Sequence, residues 1–143
     1  RWGMPVLAEM LSQAMMANHM DFRGDGQAPL PEDIARDVAT CCRLGVELGA
    51  DAIKTRYAGD VESFRRICAS TGRPVLVAGG PLRGTGLGAT LNLVNDVLEA
   101  GAAGVVFGRQ IWQQPDPGAA LRAVCAMVHE DATVAEALDL SAA

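Results

Sequence analysis

Lys54 is the only lysine in the chain; the other eleven of its twelve basic residues are arginine. It closes an apolar run, Gly49-Ala50-Asp51-Ala52-Ile53-Lys54-Thr55, whose composition predicts a buried parallel strand. Arginine replaces lysine wherever only a surface charge is wanted, but not where a neutral primary amine must attack a carbonyl. Lys54 is therefore a candidate Schiff-base nucleophile. The competing explanation is an arginine-favouring composition that leaves one lysine by chance. Two glycine-bearing strand ends follow it. Val75-Leu76-Val77-Ala78 runs into Gly79-Gly80-Pro81, and Gly104-Val105-Val106-Phe107 runs into Gly108-Arg109. Glycine at the end of a parallel strand lets backbone N–H groups approach an anion, and a following helical turn adds its positive end. Arg109 would contribute a charge-assisted fork. A phosphate held by these two turns lies one strand away from Lys54, so the amine could reach the carbonyl of the same substrate. Burial at such a place disfavours an ammonium relative to a free amine. The chemistry also needs a group that takes and returns a proton. Glu9 is the candidate, with a pairing to Arg56 or to loop backbone as the plainer reading. Tyr57 is another, with packing beside its strand as the alternative.

These residues need a scaffold, and four strand–helix units can be read. Met4 to Met10 predicts the first strand, followed by a long polar connection from about Ser12 to Leu30. Pro31-Glu32-Asp33 then opens a helix, with proline in its first turn and acids at its positive end. Ile34, Val38, Cys41, Cys42, Leu44-Gly45 and Leu48 give that helix an apolar face up to Gly49. The second strand is expected from Asp51 to Tyr57. Asp60 then caps a helix whose face includes Val61, Phe64, Ile67 and Cys68. Gly72-Arg73-Pro74 leads into the third strand, and a helix from about Ala89 to Ala100 leads to the fourth. A short helical turn through Ile111-Trp112, a helix from about Ala119 to His129 and a weak amphipathic tail complete the chain. Uniformly apolar strands alternating with amphipathic helices mean a parallel sheet, an α/β fold. Four such units fit half of an eight-stranded barrel, where function collects at the C-terminal strand ends. They also fit a small doubly wound, flavodoxin-like sheet.

At 143 residues the chain is sized for one domain, residues 1–143. A formal net charge of −5 argues against nucleic acid or an anionic membrane as partner, and no apolar run approaches a membrane span. Cys41, Cys42, Cys68 and Cys125 show no metal-ligand spacing and read as free buried thiols in a reducing cytoplasm. His19 and His129 stand far apart, so neither a metal nor another cofactor is expected. The chain opens Arg1-Trp2-Gly3 and enters a strand almost at once, which points to further sequence upstream.

Three stretches carry a family resemblance. They are Gly49-Ala50-Asp51-Ala52-Ile53-Lys54-Thr55-Arg56-Tyr57-Ala58-Gly59-Asp60, Val77-Ala78-Gly79-Gly80-Pro81, and the run from Ala100 to Gln113. In order and spacing they resemble the archaeal-type class I fructose-bisphosphate aldolases, a family that includes makers of aminodideoxyheptulosonate and processors of a phosphorylated autoinducer. The resemblance implies a (βα)8 TIM barrel, with this chain covering strands five to eight. It implies Lys54 as the Schiff-base lysine, with Gly79, Gly80, Gly108 and Arg109 binding the substrate phosphate. The partner it implies is a small phosphorylated substrate, and family members commonly form large homo-oligomers. Two departures stand out. The strand-five tyrosine of the family falls near Leu11, and the lysine often found after Gly-Gly-Pro is replaced by Leu82-Arg83. A further departure is that the catalytic aspartate of the family belongs to its first strand, which this chain is expected to lack. The reading is a lyase acting through an imine on Lys54. The alternatives are a related transferase or thiolase, or a phosphate-binding or assembly module without turnover. Half a barrel leaves open edges, so either four further strands or a second copy is expected to close it.

Overall fold

The computed structural model describes residues 3–11, 31–81 and 86–142, apart from the side chains of residues 31–33. The expected connection from Ser12 to Leu30 with His19, the Leu82-Arg83 pair, and the roles given to the Glu32 and Asp33 side chains lie outside the described residues. Within them run β1 (Leu7–Glu9), α1 (Pro31–Glu47), β2 (Ala52–Thr55), α2 (Val61–Thr71) and β3 (Val75–Ala78). These are followed by α3 (Leu87–Glu99), β4 (Gly104–Val106), α4 (Arg109–Trp112), α5 (Pro117–His129) and α6 (Val134–Ala142).

The strands pair in parallel and in chain order, β1-β2-β3-β4. Glu9 lies level with Lys54, Lys54 with Leu76, and Leu76 with Gly104. A doubly wound sheet reverses its strand order at a switch point. This sheet does not, which overturns the flavodoxin-like alternative. Winding in one direction with right-handed crossovers lays the helices on a single face. That face holds the core: Ile53, Val75 and Val77 pack with Val38 and Cys42 of α1, Phe64 and Ile67 of α2, and Val97 of α3. A second cluster joins Leu91 and Val94 of α3 to Val124 and Met127 of α5 and Ala137 of α6. No described element covers the opposite face, where Leu7 and Val106 are 47% and 36% exposed.

Local chemistry explains where the elements start and stop. The Ser63 N–H donates to Asp60 Oδ1 at 2.7 Å, the expected cap of α2. The Ala119 N–H donates to Asp116 Oδ1 at 2.9 Å, so α5 starts with Pro117 in its first turn, two residues before the expected Ala119. The first strand is regular over only three residues rather than from Met4 to Met10. Its bonding runs further, since the Met10 N–H donates to Lys54 O at 2.8 Å. Leu44 of α1 and Leu48 just past its end are exposed rather than inward. The inward face runs through Val38, Cys42 and Gly45 instead, and at Gly45 the helix meets the strand so closely that a Cβ would lie 2.6 Å from Ile53 Cδ1. All four cysteines are free, but only Cys42 is buried: Cys41 and Cys68 are half-buried and Cys125 is exposed. Burial foremost pushes the Cys42 and Cys68 thiols up to about 11. No described helix is long and apolar enough to cross a membrane.

Candidate active site

In a parallel sheet, residues paired in register share a face, and residues two apart on one strand return to it. The register therefore builds two layers on the uncovered face. Glu9, Lys54, Leu76 and Gly104 form the lower one, and Leu11, Arg56, Ala78 and Val106 the upper. Above them the chain turns at Gly79-Gly80 and at Gly108-Arg109. Glu9, Lys54, Gly79, Gly80, Gly108 and Arg109 thus line one cavity of about 300 Å³, together with the upper layer and Trp112. That volume suits a small metabolite. The structure thus brings together six of the seven residues singled out in the sequence, Tyr57 being the exception.

Lys54 Nζ lies 2.9 Å from Glu9 Oε1, with the lysine side chain only 21% exposed and the glutamate 48%. The sequence leads one to expect an amine held in apolar burial; the amine sits instead against a carboxylate one strand away. The lining carries three cationic side chains, Lys54, Arg56 and Arg109, against the one carboxylate of Glu9. In a chain of net charge −5, this is a local reversal that favours an anionic guest. Tyr57 is not among the lining residues. It packs edge-on against Phe64, with ring centroids 5.4 Å apart, as the plainer reading of it expects. Burial, helped by the charges of Asp96, Asp60 and Glu99, pushes its phenol up to about 12. Leu11 does line the cavity.

Close packing accounts for Gly79 and Gly108, and backbone conformation for Gly80. A Cβ on Gly79 would lie 2.7 Å from Gln110 Cγ and 2.8 Å from Phe107 Cδ1. Gly80 has φ +65, a conformation that side chains rarely adopt. A Cβ on Gly108 would collide with the Trp112 ring. Gln110 itself is fully buried; its Nε2 donates to Gly79 O at 3.0 Å and to Pro81 O at 2.6 Å.

Sequence reasoning passes over Arg56, Trp112 and Gln110 as site residues. The two-residue strand period from Lys54 could have found Arg56. No local signal marks Gln110, whose partners lie 20 to 31 residues away. A wider cleft, about 570 Å³, opens beside α5 and α6 and is lined by Glu130, Asp131, Glu136 and Asp139. It offers no amine and no cation, so imine chemistry has no footing there. Among the described residues, no three His, Cys, Asp or Glu side chains converge closely enough to hold a metal ion.

The family model described as DeoC/LacD family aldolase matches residues 1–114. A 2-amino-3,7-dideoxy-D-threo-hept-6-ulosonate synthase of Halobacterium salinarum is 41% identical over 138 residues, covering 96% of this chain and 46% of the relative. A class 1 fructose-bisphosphate aldolase of Thermoproteus tenax is 40% identical over 104 residues, covering 72% of this chain and 39% of the relative. The solved structure of a Schiff-base-forming fructose-1,6-bisphosphate aldolase superposes with a TM-score of 0.72 at 34% identity, covering 88% of this chain and 46% of that one. The chain spans about half the length of the curated relatives it matches.

Proposed function

Because the chain belongs to the DeoC/LacD family of aldolases, we propose that it supplies the imine-forming half of a class I aldolase site, with Lys54 as nucleophile. Its parallel α/β sheet is of the TIM-barrel type and amounts to about half of the neighbouring barrels. On this reading the chain is one domain, the C-terminal half of a barrel, contributing strands five to eight. The substrate is a small phosphorylated ketose or aldehyde. The observation that carries the reading is the Lys54–Glu9 pair, 2.9 Å apart inside the cavity walled by both glycine turns.

The chemistry follows from that pair. Glu9 takes a proton from the Lys54 ammonium, and the freed Nζ adds to the substrate carbonyl. Glu9 returns that proton to the alkoxide of the adduct, then relays a second proton from the adduct nitrogen to the same oxygen, which leaves as water and gives an iminium. Electrons of the neighbouring carbon–carbon bond flow into that iminium, while the hydroxyl on the departing carbon gives its proton to Glu9 and becomes an aldehyde. Glu9 then protonates the enamine at carbon, and water hydrolyses the iminium to release the ketone. Gly79-Gly80 and Gly108-Arg109 hold the phosphate through these steps, Arg109 by charge and the turns by backbone N–H groups.

The test is borohydride reduction in the presence of dihydroxyacetone phosphate. Mass spectrometry is expected to place the adduct on the peptide that carries Lys54, and Lys54→Arg to remove it. An unmodified Lys54 in the full-length protein ends the proposal. A second reading, a transferase of the aminodideoxyheptulosonate synthase kind, is favoured by Leu11, which brings no phenol to the cavity, and by the identity to the Halobacterium relative. It uses the same imine but passes the enamine to a different acceptor. Turnover of fructose bisphosphate separates the two.

A further inference from the structure

We propose that Gln110 is a positioning residue for the phosphate cradle: its side chain sets which way the Gly79–Gly80 peptide faces. The inference rests on the phosphate-binding role given above to these turns. A glutamine amide carries two N–H donors and one oxygen acceptor, and every one of them is engaged here. Nε2 donates to Gly79 O and to Pro81 O, at 3.0 and 2.6 Å. Oε1 accepts from Thr90 Oγ1 at 2.8 Å. Thr90 Oγ1 in turn accepts from Gln114 Nε2 at 3.2 Å, and Gln114 Nε2 also donates to Gln110 O at 3.1 Å. The Gly79 and Pro81 carbonyls can only accept, so the Gln110 amide must turn its N–H groups toward them. Thr90 supports that orientation by donating its hydroxyl proton to the Oε1 left facing it. Gln110, Thr90 and Gln114 are all buried, so water does not compete for these bonds.

Peptide planarity carries the effect to the cavity. In a trans peptide the C=O and N–H point to opposite sides. Gln110 draws the Gly79 C=O into the protein interior, so the Gly80 N–H of the same peptide points the other way. Gly80 lines the cavity. The clamp therefore presents an N–H donor, rather than a carbonyl oxygen, to an anion. A Gly-Gly peptide turns over easily without such a hold, because neither residue has a Cβ to resist it. The amide joins the turn after β3 to the helix after β4, so one side chain aligns both walls of the cradle.

The experiment compares borohydride trapping at Lys54 by dihydroxyacetone phosphate and by unphosphorylated dihydroxyacetone in the full-length protein. Gln110→Glu keeps the shape but replaces the donors with oxygens that repel both carbonyls. The half-saturating concentration of the phosphorylated ketone is expected to rise about tenfold or more, the worth of an N–H bond to a charged group. That of the unphosphorylated ketone stays within about twofold, and the limiting rate at saturation is retained for both, since neither depends on an anion contact. Thr90→Val removes only the hydroxyl that supports the orientation of the amide and is expected to give a smaller rise, about threefold, confined to the phosphorylated ketone. It carries the test should Gln110→Glu fail to fold. A rise shared equally by both ketones, or no rise in either variant, overturns the proposal. An unsubstituted protein that shows no preference for the phosphorylated ketone overturns the phosphate reading itself, and is told apart because no variant is involved.

Discussion

An ammonium 2.9 Å from a carboxylate attacks nothing until its proton leaves, and the nearest acceptor is that same carboxylate. This dual role makes separate predictions for the two partners. Lys54→Arg preserves the charge and the ion pair with Glu9 but offers no amine, so turnover is expected to fall by more than about a thousandfold, with borohydride trapping abolished. Glu9→Gln keeps the shape and leaves the amine in place. Its adduct at Lys54 is still expected to form, but about a hundred- to ten-thousandfold more slowly, as suits the loss of a general acid–base group. Stopped-flow trapping distinguishes the two variants: absence of adduct in the first, slow appearance in the second. Glu9→Gln trapping at the unsubstituted rate would mean that the glutamate only balances charge. Tyr57→Phe should leave trapping unchanged, because the phenol ring packs on Phe64 and does not line the cavity.

Elements place these residues, and their ends are where local sequence chemistry acts most plainly. Helix α2 starts at Val61 because Asp60 accepts from the Ser63 N–H, and it stops where Gly72 takes φ +67. The same amide holds the Asp60 carboxyl below the usual carboxylate range. A carboxyl depressed in the folded state contributes stability above its unfolded-state value, and that contribution is lost as pH falls through the folded-state value. Asp60→Ala is therefore expected to cost about 1 kcal/mol at neutral pH. The gap from the unsubstituted protein should narrow under acid, as urea unfolding midpoints at pH 7 and pH 3 can measure. A gap that stays constant between those pH values would place the effect elsewhere than in the charged cap. Signals of this kind make caps and strand ends legible from sequence. Val75–Ala78 needs no revision, and Asp60 caps as its position implies. The first strand shortens because Met4 and Val6 are left exposed, with no described element packed on them. The Gln110 clamp is invisible in the sequence because it exists only once β3, α3 and α4 have met.

At the scale of the whole molecule, the sheet determines what the chain must meet. The alternation of apolar strands and amphipathic helices makes the parallel α/β fold readable, but which strand borders which, and hence that one face is left bare by the described elements, emerges only from the register. Among the described residues, strands β1 and β4 each pair with a single neighbour, so no described strand meets the outer edge of either. Between those edges the bare face presents Leu7 and Val106, both substantially exposed. Apolar surface removed from water is worth about 25 cal/mol per Å², so a second surface laid on this face gains free energy with every side chain covered. The 143-residue chain by itself is therefore expected to associate as its concentration rises, seen as an increasing sedimentation coefficient. Leu7→Lys tests where that contact lies. Leu7 pairs with Ala52 below the Glu9–Lys54 layer and does not line the cavity, so the substitution charges the bare face without touching the candidate site. It is expected to raise the dissociation constant about tenfold or more, the scale of losing one buried leucine. Association that survives Leu7→Lys but fails on Leu121→Lys would move the contact to the helical face, where Leu121 is 52% exposed, and would leave the bare sheet free for strands of another kind.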